Sequence, residues 1–279
     1  MTENIDISIT ILRPPKGLAA LNLRDLWIYR ELVLFMIWRD IKVRYKQTLL
    51  GAAWAVLQPF LTMVVFTIFF GTLAEVPSDG VPYPIFTYAA LLPWQLFSKA
   101  LQDAARSLVS NRHMITKVYF PRLVLPLSSI VAGLVDFGIA FLVLLAMMFY
   151  YQIPLRIQML ALPLLLLLAL VTALGVGLWL SALNVLYRDI AYVMPFIAQF
   201  WMYITPVVYP ASMVPEQWRF LYYLNPMTGV VEGFRWALLG THSSLPSSMI
   251  ILSIVISIVV LVTGLFYFRR MERLFADMV

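Results

Sequence analysis

The sequence predicts an all-α integral membrane protein with six transmembrane helices, an N-terminal cytoplasmic interface helix, and short external re-entrant helices between spans five and six. Hydrophobic residues make up 62% of the 279 residues and charged residues 12%, whereas soluble domains contain about 25% charged residues. Six apolar stretches approach the ~20 residues that cross the hydrocarbon core. Lysine and arginine also collect on one side of these stretches, which is typical of membrane proteins. The mean hydropathy of +0.87 agrees with this class.

The N-terminal region precedes the first predicted span. Residues 1–23 are polar and contain no apolar stretch, so we expect no cleavable signal peptide. Residues 24–279 are predicted to form a single transmembrane domain. In residues 24–47 the apolar core is too short to cross a bilayer, and aromatic and basic residues flank it. This pattern predicts a helix in the cytoplasmic interface, although a simple basic anchor explains it equally well.

The six predicted spans are separated by polar connections. They cover residues 52–73, 84–108, 123–151, 159–186, 190–209 and 248–268. The second span is the least apolar, because Lys99 and Asp103 lie in its latter half.

The distribution of basic residues predicts the orientation. Of the 20 lysine and arginine residues, sixteen lie on one side of the spans, and Lys99 lies within one. The three on the other side are Arg156, Arg219 and Arg235. Both termini are therefore expected in the cytoplasm. Membrane topology also accounts for the net charge of +6 without nucleic-acid binding.

A carboxylate lies in the middle of the third span. Asp136 stands between Gly133 and Gly138, and a charge at this depth is costly unless it has a role. It is either a proton site or a packed side chain bonded to another helix. A proton pathway needs several such groups, and only Lys99 and Asp103 are plausible companions for it.

Two helical faces stand out in the later spans. Ala173, Gly177 and Ser181 recur every fourth residue of span four, and small residues at this spacing allow helices to approach closely. This contact lies either within the subunit or across a dimer. Span five carries an aromatic face that either lines a sugar path or packs against lipid or core. That face consists of Tyr192, Phe196, Phe200 and Tyr203.

The loop of residues 110–122 is basic and amphipathic. Its basic residues follow from topology alone, but its apolar residues do not. These apolar residues are Met114, Ile115, Val118, Tyr119 and Phe120. The loop is therefore either a docking element for a soluble partner or an ordinary cytoplasmic connection.

Residues 215–240 are too polar to span and too aromatic for a simple linker. The Asn225–Pro226 step predicts a break between two helices. Glu216 with Arg219, and Glu232 with Arg235, have the spacing of ion pairs within one helical turn. Such pairs contribute little to stability when they are exposed.

No catalytic constellation is evident. The chain has no cysteine and only two histidines, far apart in sequence, and it lacks a phosphate-binding loop. We therefore expect a protein that is not itself an enzyme and binds no metal or cofactor.

Four segments together resemble a known family. WRDIKVRYKQTLLGAAWAVLQPF (38–60), NRHMITKVYFPR (111–122), LNVLYRDI (183–190) and NPMTGVVEGFRWALLG (225–240) resemble the permease subunit of type-2 ATP-binding-cassette exporters. The similarity extends over residues 13–275. Its closest branch exports polysaccharides and polyol phosphates of the O-antigen, capsule and teichoic-acid type.

The resemblance implies a complex in the bacterial plasma membrane. It implies a homodimer with two separate ATPase subunits that bind ATP and magnesium, and a lipid-linked glycan as substrate. Membrane lipids surround such a complex, and nucleic acid has no part in it. An exporter of a small drug or lipid, or a proton-coupled secondary transporter, is the alternative.

The resemblance also assigns roles to residues. It implies ATPase coupling by Met114, Ile115, Lys117, Val118, Tyr119, Phe120, Arg188 and Asp189. It implies a path between spans one and five, lined by Phe66, Phe69, Tyr192, Phe196, Phe200 and Tyr203. Residues 212–240 would form external gate helices with Glu216, Arg219, Asn225, Pro226, Glu232 and Arg235 as gate residues.

Overall fold

The computed structural model describes residues 23–46, 51, 53–241 and 247–278, and this part of the chain is helical without strands. The predicted all-α class is confirmed for these residues. The first helices in chain order are α1 (Leu23–Ile28), α2 (Arg30–Lys46), α3 (Ala53–Phe66), α4 (Tyr83–Ser110), α5 (Arg112–Ile115) and α6 (Val124–Tyr150). They are followed by α7 (Leu162–Leu186), α8 (Ile190–Ile204), α9 (Glu216–Tyr223), α10 (Pro226–Leu239) and α11 (Ser247–Met278). Residues 1–22, 47–50 and 52 of the predicted N-terminal segment, interface helix and first span lie outside the described residues.

Four helical segments are long and apolar enough to cross a membrane. These segments are Ala53–Leu73, Val124–Tyr150, Ile157–Leu186 and Ser247–Glu272. The first includes a π-helical turn after α3, and the third includes a 3₁₀ turn before α7. By length and composition, these four segments are those of a multi-pass membrane protein.

The other two predicted spans depart from simple apolar helices. Helix α4 has 28 residues but carries Lys99, Asp103 and Arg106 in its second half. Helix α8 has 15 residues and ends at Ile204, five residues before the predicted end. Pro206 explains this, because a residue before proline is driven out of the helical conformation. Thr205 accordingly has an extended backbone, with φ −93° and ψ 144°.

Close helix packing forms the centre of the molecule. Helix α7 packs against both α4 and α11. A Cβ on Gly177 would lie 2.8 Å from the Cβ of Ala104, and one on Gly175 would lie 2.7 Å from the backbone of Leu261. The predicted small-residue contact on span four is therefore confirmed within the subunit.

The end of α4 and the loop after it belong to a second, smaller apolar cluster. This cluster joins α2, α4, α5, α7 and α11, and its buried members include Met36, Leu108, Ile115, Phe120, Val185, Phe268 and Phe275. It fastens the interface helix α2 to the body of the protein. Helix α2 also packs along α6 and therefore does not lie free on the membrane.

The region between α8 and α11 contains the predicted helix break. Helix α9 ends at Tyr223, and α10 begins at Pro226 with Asn225 as its N-cap. The Asn225 side chain accepts a hydrogen bond from the Met227 amide at 3.1 Å. Helix α10 ends at Leu239 and is capped by Gly240, whose φ of 67° suits glycine. Helix α10 is buried almost throughout, whereas most of α9 is exposed.

Candidate functional site

A cavity of about 790 Å³ opens between α3, α4, α6 and α8, with the end of α2 at its rim. Its wall is unusually polar for a set of apolar helices. The polar lining residues are Arg44, Tyr45, Gln58, Thr62, Gln95, Ser98, Lys99, Gln102, Asp103, Arg106, Asp136 and Gln199. The cavity therefore presents charged groups and neutral amides to one shared, partly open space.

A charge cluster forms one part of this wall and connects three helices. Arg44, near the end of α2, donates to Asp136 on α6 at 2.5 Å and to Asp103 on α4 at 2.9 Å. Lys99 on α4 donates to the same oxygen of Asp136 at 2.7 Å. Tyr45 donates its phenolic hydrogen to the other Asp136 oxygen. Two cations and two carboxylates thus compensate one another.

The environment of Tyr45 keeps this residue a hydrogen-bond donor. Burial, together with the hydrogen bond to Asp136, raises the pKa of the Tyr45 phenol to about 12. The phenol therefore remains protonated at physiological pH and donates to the carboxylate.

The cluster bears on the two interpretations of Asp136 in the third span. Its carboxylate has two cationic partners and one phenol partner, and its side chain is 14% exposed. Removing one partner of such a pair leaves an uncompensated charge, which is strongly destabilising. This arrangement favours a structural bond between helices over a proton-carrying site.

A second part of the cavity wall carries neutral amides that the sequence reasoning missed. Gln58 lies on α3, Gln95 on α4 and Gln199 on α8. The indole of Trp54 is 54% exposed and lines the same space. The available signal was an uncharged amide within each of three apolar spans, where polar side chains are costly without a partner.

The aromatic face of α8 points away from the cavity. Tyr192, Phe196, Phe200 and Tyr203 are 84%, 70%, 59% and 46% exposed. The rings of Phe196 and Phe200 are stacked, with centroids 6.5 Å apart. The cavity instead meets the other side of α8, at Ala198 and Gln199. These four aromatic residues therefore form an outer face of the subunit.

The two aromatic residues predicted on span one differ from each other. Phe69 is 57% exposed, as a path-lining residue would be in a single subunit. Phe66 is only 8% exposed and packs edge to face against Phe70, with ring centroids 5.6 Å apart. The expectation that Phe66 faces an open path is therefore wrong for this subunit, because its ring fills the core.

The loop after α4 presents a small exposed surface. Val118 is 59% exposed and Tyr119 is 72% exposed, and Lys117 is exposed beside them. Ile115 and Phe120 are 6% and 5% exposed and belong to the cluster that holds α2 and α11. Met114 is half-buried, while Arg188 and Asp189, before α8, are exposed. The eight predicted coupling residues therefore divide into an exposed set and a core set.

The same loop is tied to the end of α11. The backbone amide of Arg122 donates to Glu272 Oε1 at 3.3 Å, and its guanidinium donates to the Glu272 carbonyl. Arg269 pairs with Glu272 at 2.7 Å. A displacement of the loop would therefore act directly on α11.

The predicted ion pair in α10 is buried. Arg235 and Glu232 pair at 3.0 Å, and their side chains are 0% and 1% exposed. Arg235 also donates to the carbonyls of Val207, Tyr209 and Phe86 and lies 3.6 Å from the Phe86 ring centroid. An exposed pair of this kind would contribute little, but this pair is buried because α10 packs inside the protein.

The remaining predicted gate residues are arranged differently. Glu216 and Arg219 on α9 pair at 3.4 Å, with Glu216 88% exposed. Asn225 accepts from Trp201 Nε1 at 3.0 Å and donates to Thr205 Oγ1 at 2.9 Å. Pro226 is buried at the first turn of α10. Asn225 therefore joins the end of α8 to the start of α10.

Comparison with known proteins places these features in a family. A family model described as ABC-2 type transporter matches residues 31–239. The chain is 31% identical to the O-antigen export system permease protein RfbA of Myxococcus xanthus, over 76% of this chain and 82% of that protein. It is 27% identical to a protein of the same name from Klebsiella pneumoniae, over 88% and 94% of the two chains. It is 25% identical to the polysialic acid transport protein KpsM of Escherichia coli, over 84% and 91%.

Proposed function

The chain belongs to the ABC-2 type transporter family, and we propose that it is the transmembrane subunit of an ATP-driven exporter of a lipid-linked polysaccharide. The glycan moves from the cytoplasmic side across the bacterial plasma membrane. One observation carries the proposal: relatives named for O-antigen export and polysialic acid transport align with most of this chain. ATP and magnesium are bound by a separate ATPase subunit, and two copies of each subunit form the complex.

The proposed topology has six spans with both termini in the cytoplasm. Helices α4 and α8 supply the second and fifth crossings beside the four strongly apolar segments. The pairing of Lys99 and Asp103 within one compensated cluster supports a crossing by α4, because each of these two charges on the helix has an opposite charge beside it. Residues 205–240 enter and leave the membrane from the outside, with Arg235 holding the carbonyls of the turn that follows α8.

The exposed part of the loop after α4 docks on the ATPase subunit. Lys117, Val118 and Tyr119 form this docking surface, and Arg188 with Asp189 is a second contact. Exposed apolar side chains on a basic cytoplasmic loop have no bilayer to cover them, so a protein partner accounts for them best. Movement of the ATPase subunits acts through this surface on α11.

The outer aromatic face of α8 meets the second permease subunit. Phe69 and the four aromatic residues of α8 then lie beside the path between the two subunits. Contacts between aromatic rings and sugar faces are weak and undirected, which allows a polymer to slide.

Deletion of the gene in the source cell tests the function. We expect the surface glycan to disappear and its lipid-linked form to accumulate on the cytoplasmic face, with recovery on complementation. A normal surface glycan in the deletion strain contradicts the proposal. Retention of a small compound instead identifies the drug or lipid exporter. Glycan transport without a nucleotide-binding partner identifies the secondary transporter.

A further inference from the structure

Three glutamine side chains on the cavity wall are free to bind a ligand. Gln58, Gln95 and Gln199 come from three different helices and line the same space. Within the described part of the chain, none of these amides has a hydrogen-bond partner in the protein. Gln102 contrasts with them, because it donates to Ser98 at 3.2 Å.

Unpaired amides between apolar helices call for a polar occupant. Gln95 is half-buried, whereas Gln58 and Gln199 are exposed, and all three line the cavity. Each amide offers two donors and a carbonyl acceptor to an occupant of the cavity. A lipid tail cannot satisfy them. Water or a ligand with many hydroxyl groups can, because a hydroxyl both donates and accepts.

The charge balance of the cavity indicates which polar ligand fits. Arg44 and Lys99 are held by Asp136 and Asp103, with distances of 2.5 to 2.9 Å. Arg106 donates to the Ala191 carbonyl at 3.2 Å. It forms no ion pair among the described residues, but it is exposed. An anionic ligand would have to displace the carboxylates that hold Arg44 and Lys99. A neutral ligand meets no such competition.

Size and an aromatic surface agree with a sugar. The cavity of about 790 Å³ lies within the range of small-molecule sites, roughly 300–1,000 Å³. Trp54 presents an exposed indole whose flat face can cover the apolar face of a sugar ring.

We propose that this cavity binds neutral saccharide units of the exported glycan, with Gln58, Gln95 and Gln199 bonding to hydroxyls and Trp54 stacking on a ring. The inference rests on the proposed function, because export of a polysaccharide supplies the ligand. It adds a site within each subunit and a preference for uncharged sugars.

Binding to the intact complex tests the site. The permease is purified with its ATPase partner in nanodiscs, and tryptophan fluorescence is titrated with neutral oligosaccharide released from the surface glycan of the source cell. Oligosialic acid and inorganic diphosphate are the anionic probes. We expect the neutral oligosaccharide to bind most tightly and the Trp54→Phe variant to lose most of the signal.

Glutamine variants show whether the amides carry the binding. Gln58→Leu, Gln95→Leu and Gln199→Leu should each weaken it about 2- to 10-fold, the loss expected for one neutral hydrogen bond. Gln158→Leu, outside the cavity wall, is the matched control and should bind as the unmodified protein does. Leucine has nearly the volume of glutamine, so melting temperatures should change little.

The outcomes separate this inference from the proposed function. Tighter binding of oligosialic acid or diphosphate overturns it, as does neutral-glycan binding that all three variants leave unchanged, or no binding at all. If glycan export requires the gene but tolerates all three leucine substitutions, the cavity site is wrong and the exporter function stands. If the deletion strain exports its glycan normally, the exporter function itself fails.

Discussion

Arg44, near the end of α2, pairs with Asp136 in the middle of α6 at 2.5 Å, although 92 residues separate them. The same guanidinium reaches Asp103 on α4. One side chain thus connects α2 with two helices that line the cavity. Because of this bond, the end of α2 contributes to the cavity wall.

Asp136→Asn should destabilise the protein without abolishing transport by correctly folded molecules. The substitution leaves Arg44 and Lys99 without their shared carboxylate, and loss of one partner of a buried pair costs up to about 3–5 kcal/mol. Because Lys99 is 45% exposed, the loss of stability should lie at the lower end of this range. Thermal unfolding of the solubilised complex measures it, with export normalised to folded protein.

A double variant distinguishes a structural bond from a proton site. Arg44→Gln combined with Asp136→Asn should recover part of the lost stability, since it removes both charges. If folded Asp136→Asn protein exports nothing while its ATPase partner still turns over, Asp136 has a transport role beyond structure.

Arg235→Leu should be severely destabilising. The change leaves Glu232 as a buried carboxylate without its cation and removes the donor to three carbonyls. We expect a loss of about 3–5 kcal/mol, the range for breaking a buried pair. Arg235→Lys should retain only part of the stability that Arg235→Leu loses, because a lysine cannot reproduce the planar set of donors.

The exposed pair on α9 is the matched control for this experiment. Arg219→Leu removes a partner of Glu216, which is 88% exposed, and should leave the melting temperature unchanged. Melting temperature, export and ion leakage are measured for both variants. If Arg235→Leu matches the unmodified protein in all three, α10 has no gate role and the pair is unimportant.

Local signals in the sequence predicted the helices but not their partners. The break at Asn225–Pro226 and the close approach at Gly177 followed from proline and small-residue chemistry alone. The burial of Glu232 and Arg235 depends on α10 packing inside the protein, which no spacing reveals. The pairing of Arg44 with Asp136 depends in the same way on α2 lying along α6.

The loop after α4 shows the same limit on a smaller scale. Its amphipathic pattern predicted apolar residues for a partner, yet Phe120 turned inward and Tyr119 outward. Which of two adjacent aromatic residues is buried depends on the cluster formed with α2 and α11. The three cavity glutamines were overlooked because uncharged amides gave a weaker signal than Asp136.

The docking surface predicts a separation of coupling from folding. Val118→Ala with Tyr119→Ala should uncouple ATP hydrolysis from export, because both side chains are exposed and leave the core intact. The melting temperature should be unchanged. Assembly with the ATPase subunit, ATPase activity in proteoliposomes and glycan export are measured together. Full coupling in this double variant rules out the docking surface.

Phe120→Ala gives the opposite result and controls for loss of structure. Its side chain is 5% exposed within the smaller apolar cluster that joins α2 and α11. Deleting a buried aromatic side chain costs about 3–5 kcal/mol. We therefore expect a lower melting temperature and less folded protein, with coupling retained in the molecules that remain folded.

Single cysteines test the proposed six-span topology against a clean background, because the chain contains no cysteine. Positions 77, 155 and 212 are exposed and lie in connections that the topology places outside. Position 110, the last residue of α4, and position 189, before α8, are exposed at ends that it places inside. Pro77→Cys, Leu155→Cys and Ser212→Cys should react with a membrane-impermeant maleimide on intact spheroplasts. Ser110→Cys and Asp189→Cys should react only after permeabilisation.

Labelling of both inside positions on intact cells contradicts the orientation that sixteen cytoplasmic basic residues predict. Equal reactivity at positions 110 and 155 would instead show that α6 fails to cross.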